Sequence, residues 1–89
     1  MYYKVVNDTL FLNVNMVDNC AAQFTDSVTI NNDSVNIWIT YRCGSVANCL
    51  CNFDFNYYFT NYGDEVQFVV YENSTCMPEY TVWGTLTYP

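Results

Sequence analysis

The chain has 89 residues, which leaves room for one domain and no more. Nine acids stand against only Lys4 and Arg42, a net charge of −7, so no basic patch exists to displace counterions from nucleic acid or to hold an anionic membrane. Hydrophobic residues make up 52% of the chain and aromatics 19%, a composition too apolar for disorder. No window reaches the ~20 apolar residues of a membrane span. The acids are dispersed rather than blocked together, and read as solubility.

The dominant pattern is period-two alternation, interrupted by Asn, Asp and Gly. Tyr2–Val6 reads as a short strand closed by Asn7-Asp8. Thr9–Val17 follows with Leu10, Leu12, Val14 and Met16 in one phase. Phe24–Ile30 places Phe24, Val28 and Ile30 in the core phase, and Asn31-Asn32-Asp33 makes a turn, since Asn and Asp tolerate left-handed backbone. Val35, Ile37, Ile39 and Tyr41 share a face opposite Asn36, Trp38, Thr40 and Arg42. Cys51–Phe59 sets Phe53, Phe55, Tyr57 and Phe59 against Asn52, Asp54, Asn56 and Tyr58. After the turn Asn61-Tyr62-Gly63-Asp64, Glu65–Tyr71 carries Val66, Phe68 and Val70 inward. Tyr80–Tyr88 closes the chain with Val82 and Leu86 in phase.

No stretch sustains helical periodicity, and β-branched and aromatic residues dominate. Seven short strands with turns every ~8–12 residues predict an all-β fold, a seven-stranded antiparallel sandwich of immunoglobulin-like type spanning residues 1–89.

The five cysteines are the most informative residues. If consecutive strands alternate in direction, Cys20, Cys43, Cys49, Cys51 and Cys76 all fall at one pole of the sandwich, and alternation places them in the core-facing phase. Three chemistries compete there. Clustering suits disulfides, which need Cα atoms within ~7 Å. A zinc site would use thiolates, but no C-x2-C pair is present and Cys49-Leu50-Cys51 does not match knuckle spacing. A catalytic thiol wants a histidine or a basic neighbour, and the chain has no histidine. Inert buried thiols are the remaining alternative. Disulfides are the expectation, and they imply an oxidising compartment over a reduced cytosolic one. An odd count leaves one thiol over; the expected pairing is Cys20–Cys51 and Cys43–Cys49, with Cys76 free or bonded to another chain. Met1-Tyr2-Tyr3-Lys4-Val5-Val6 has no signal-peptide character, so a secreted protein would be represented by its mature part.

Other candidates carry less chemistry. Arg42 and Asp54 lie on the outward phase of strands expected to be adjacent, and an exposed pair contributes only about 0–1 kcal/mol. Asp64 and Glu65 read as turn residues rather than a glycosidase pair, and Asp18 with its neighbouring asparagines lacks EF-hand spacing. Phe11, Trp38, Tyr58, Tyr71 and Trp83 fall opposite the core phase and would form an aromatic platform for a sugar or a protein; the alternative is that some strands bury both faces. Asn7-Asp8-Thr9, Asn32-Asp33-Ser34 and Asn73-Ser74-Thr75 match the N-glycosylation pattern, which arises easily in an Asn-rich chain.

The run Ala47-Asn48-Cys49-Leu50-Cys51-Asn52-Phe53-Asp54-Phe55, after the alternating Val35-Asn36-Ile37-Trp38-Ile39, resembles a segment of small secreted lipoprotein domains of gut Bacteroidetes. Asp18-Asn19-Cys20 followed by Phe24 is similar as well, so the likeness covers the central half of the chain. The resemblance implies a compartment rather than a reaction. It also implies that Asp8-Thr9-Leu10, Asp26-Ser27-Val28 and Asp33-Ser34-Val35 match an O-glycosylation pattern of that phylum. Such proteins begin with a lipidated cysteine after a signal peptide, and Met1-Tyr2-Tyr3-Lys4 does not show that pattern, so lipidation is not part of the expectation.

The expected function is a non-enzymatic extracytoplasmic module that binds a protein or glycan, with no cofactor and no metal. The alternatives are a self-assembling structural subunit, pairing through Tyr2–Val6 and Tyr80–Tyr88, and a small glycan-binding module using the exposed aromatics. No acid–base or nucleophilic constellation points to an enzyme.

Overall fold

Alternation becomes strand at all seven places. The computed structural model describes residues 1–44 and 46–89, with β1 Tyr2–Val6, β2 Thr9–Asn19, β3 Gln23–Asn31, β4 Ser34–Arg42, β5 Leu50–Phe59, β6 Val66–Ser74 and β7 Thr81–Tyr88. β1, β2 and β5 form a three-stranded sheet in that order, and β3, β4, β6 and β7 form a four-stranded one. Two hairpins use two-residue turns whose left-handed positions are filled by the tolerant residues. Asn7 (φ 51°) and Asp8 (φ 63°) join β1 to β2, and Asn32 (φ 53°) helps join β3 to β4.

The core is three stripes from the even-numbered strands. Leu10, Leu12, Val14 and Met16 of β2 face Val35, Ile37 and Ile39 of β4 and Val66, Phe68 and Val70 of β6, all buried. Phe24, Phe55, Tyr57, Phe59, Trp83 and Leu86 are half-buried and pack against this centre. One pole is closed by tyrosines, with Tyr3 and Tyr62 each edge-on to Tyr88 at 5.2 and 5.4 Å. The opposite pole carries the cysteines.

The sheets depart from full antiparallel pairing at one seam, where β4 and β6 run parallel, Ser34 opposite Gln67 through Tyr41 opposite Ser74. The reason is strand parity. β5 belongs to the other sheet, so the chain crosses over after β4 and back before β6, and two reversals restore the original direction. The amide of Gln67 donating to the carbonyl of Asp33 (2.8 Å), and that of Thr75 to Tyr41 (3.0 Å), extend the seam at both ends.

Three expected core positions are instead exposed. Val28 (38% exposed) and Ile30 (65%) keep the core phase, opposite Ile37 and Val35. However, β3 is the edge of the wider sheet, and the three-stranded sheet does not cover its inner face. Val82, 58% exposed, is displaced by a bulge: Tyr71 pairs with Val82 while Val70 pairs with Gly84, so Trp83 is the extra residue and takes the inward position. Arg42 and Asp54, expected on neighbouring strands, lie in different sheets. Arg42 reaches Gln23, and Asp54 accepts from Asn13 and Asn15.

Truncation separates the two environments. Phe68→Ala empties a fully buried site and is expected to cost about 3–5 kcal/mol, read as a lower urea midpoint at constant m-value. Ile30→Ala at the uncovered edge should stay within about 0.5 kcal/mol of wild type.

Candidate functional site

The cysteine pole is built by register. Continuing the parallel seam past Tyr41–Ser74 brings Cys43 opposite Cys76, and these two are bonded, Cα to Cα 6.1 Å. Thr75 supports the junction, its hydroxyl 3.2 Å from both the Cys43 amide and its sulfur. In the other sheet Asp18 faces Cys51 and Asn19 faces Leu50, so the next pair would be Cys20 and Cys49. The amide of Cys20 indeed donates to the carbonyl of Cys49 at 3.1 Å, yet the disulfide runs diagonally from Cys20 to Cys51, Cα to Cα 5.0 Å. Asn19 ties the pole together: its carboxamide oxygen accepts from the amides of Ala21 and Ala47, and its nitrogen donates to the Tyr41 hydroxyl.

The expected Cys20–Cys51 bridge is therefore present, but Cys43–Cys49 is not. Cys43 bonds Cys76, and Cys49 is the free thiol. The parallel seam makes the difference, because it aligns the exits of β4 and β6 whereas Cys49 stands just before β5 of the other sheet. The inward phase also lapses at this pole. Cys20, Cys43 and Cys51 are half-buried, while Cys49 and Cys76 are exposed in connections where alternation no longer holds. Each bridge spans just over thirty residues (separations of 31 and 33), worth about 3–4 kcal/mol each in the chain-entropy account.

The five aromatics expected on one platform are divided among three places. Phe11 and Tyr58 are cross-strand partners on the outer face of the three-stranded sheet, edge-to-face at 4.8 Å, with the Lys4 ammonium 5.7 Å from the Phe11 ring. Trp38 and Tyr71 stack at 4.1 Å on the outer face of the other sheet, where Tyr80 meets Trp38 edge-on at 5.0 Å. The Trp38 indole N–H donates to Thr29, so one ring face and the donor are engaged within the fold. Trp83 is turned to the core by the bulge. There it walls a cleft of about 320 Å³ shared with Phe24, Tyr41, Asp18 and Glu72.

A third feature is the flank where the edge strands β3 and β5 meet. Among the described residues, each has one side without a strand partner. Phe24 is clamped by Phe53 and Phe55 at 5.1 and 5.5 Å, and further along the Tyr57 hydroxyl donates to Asp26 at 2.6 Å, joining the two sheets. Beyond that bridge Val28 and Ile30 are uncovered. Alternation placed Val28 and Ile30 in the core phase beside Phe24. The exposure of these two follows from the three-against-four division of strands, which no local pattern encodes.

Comparison with known proteins finds no matching family model, no matching curated protein and no matching solved structure.

The bridge between β3 and β5 has a pH signature. Burial, then the hydrogen bond to Asp26 and its charge, raise the Tyr57 phenol well above its ordinary value of 10.0. A group raised in the folded state contributes stability below its unfolded pKa and loses it as pH climbs toward the folded one. Unfolding free energy should therefore fall as pH rises above about 10, and Tyr57→Phe should flatten that fall. Chemical denaturation of both proteins between about pH 8 and pH 11 measures it; parallel curves would remove Tyr57 as the cause.

Proposed function

We propose that this chain is a non-enzymatic, extracytoplasmic interaction module that takes an extended protein segment along β3. Two disulfides support the compartment, and no helix in the described residues is long and apolar enough to cross a membrane. Seven strands divided three and four support an immunoglobulin-like reading of the sandwich, with the parallel β4–β6 seam as its particular feature.

The observation that carries the reading is β3. It is an edge strand of nine residues, with every side chain but Phe24 exposed, and it ends in the uncovered apolar pair Val28 and Ile30. The other edges are better guarded. β1 has only five residues and carries Lys4; β7 is bent by its bulge; β5 turns its phenylalanines inward. A strand added to β3 would continue the four-stranded sheet, satisfy an open row of backbone groups and cover Val28 and Ile30.

Charge selects the occupant. Two copies at −7 each repel, so a neutral or basic segment is favoured over a second copy of the chain. The aromatic pairs are a weaker basis for a glycan platform, since Trp38 is enclosed by Tyr71, Tyr80 and Thr29.

An eight-residue peptide alternating valine and lysine is the probe, with an alternating threonine–lysine peptide of equal charge as control. The valine peptide should perturb the amide signals of residues 23–31 with a dissociation constant of about 10–1000 μM, and the pair Val28→Lys and Ile30→Lys should weaken it about tenfold or more. Equal binding of both peptides, or perturbation centred on β1 or β7, would overturn the assignment.

A further inference from the structure

The cysteine pole holds more than a staple. The sulfurs of Cys20, Cys49 and Cys51 all lie within 4.8 Å of one another, one of them a free, exposed thiol beside a disulfide. Antiparallel register makes Cys49, not Cys51, the residue directly across from Cys20, and the Cys20 amide is hydrogen-bonded to the Cys49 carbonyl at 3.1 Å. Cys20 is therefore flanked by two sulfurs on the same strand side, at the opposite position and at the diagonal one. Both separations fall within the reach of a disulfide.

We propose that Cys20, Cys49 and Cys51 form a thiol–disulfide exchange site in which the bridge alternates between Cys20–Cys51 and Cys20–Cys49. The Cys49 thiolate attacks the Cys20 sulfur. The Cys20–Cys51 bond breaks as the Cys20–Cys49 bond forms, and the displaced electron pair leaves on the Cys51 sulfur, which takes up the proton that Cys49 released. One thiol and one disulfide stand on each side of the step, so no oxidant or reductant enters. The backbone has little to rearrange, because the hydrogen bond between Cys20 and Cys49 already holds the alternative pair in register. The consequence is a switch in where the reactive thiol sits. It is exposed on Cys49 in one state and half-buried on Cys51 in the other. Cys43–Cys76, in the other sheet and held by its own register, stays outside the exchange. The inference stands independently of the β3 flank.

Two measurements test it. Wild-type protein is incubated at pH 8, where thiolate attack is fast, acid-quenched, and labelled in guanidinium with excess N-ethylmaleimide before peptide mapping. Label should appear on both Cys49 and Cys51, with at least about tenfold more on Cys51 than on Cys43 or Cys76. Label on Cys49 alone, with Cys51 no higher than Cys43 or Cys76, overturns the proposal. The variant Cys51→Ser should form Cys20–Cys49 and lose its titratable thiol, against one per molecule in wild type. A folded variant with two free thiols, or with Cys49 bonded between molecules, also overturns it. If this variant does not fold, the wild-type labelling decides alone.

Discussion

The parallel seam between β4 and β6 is the constraint on which the rest of the molecule depends. It forces the chain into the other sheet for β5, because a parallel neighbour cannot be reached by a tight turn. With β2, β4 and β6 all running one way, their apolar stripes assemble as one core and their ends collect at one pole. Register then does the remaining work. Cys43 meets Cys76 along the seam, and Cys20 meets Cys49 and Cys51 along the β2–β5 ladder. A domain this small has a thin stability margin from its core alone, and the two bridges add to it where the strands end.

Dividing seven strands three and four leaves one edge without a roof. The narrow sheet covers β4 and β6 but not β3, so Phe24 and Tyr57 close the seam while Val28 and Ile30 lie outside it. A stability-only design would place polar residues there. Apolar side chains at an uncovered edge cost solubility unless something covers them, and that connects the architecture to the proposed strand-accepting role.

Much of the fold was legible from alternation alone. All seven strands were placed within a few residues, and the stripes of β2, β4 and β6 were read side chain by side chain, because a fully covered strand displays its burial as period two. What escaped depends on strand order. Val28 and Ile30 carry the same local signal as Ile37 and Val35, and only the number of strands opposite distinguishes them. Trp83 and Val82 exchanged roles through a one-residue bulge beside Gly84, a position where glycine was the sole hint. The gathering of the cysteines followed from parity. Their pairing did not, because Cys43 and Cys49 are close in sequence while Cys43 and Cys76 are aligned only by the parallel seam. The proposed exchange site was likewise hidden, although Cys49-Leu50-Cys51 announced two sulfurs on one side of a strand.

The parallel seam between β4 and β6 sets the pairing of Cys43 with Cys76. Peptic digestion under acid, where exchange is suppressed, followed by non-reducing mass spectrometry tests it most directly. Every molecule should yield a peptide pair linking Cys43 to Cys76, whatever the state of Cys20, Cys49 and Cys51. Cys43 joined to Cys49, or to any other sulfur at the pole, would contradict the seam and the fold built on it.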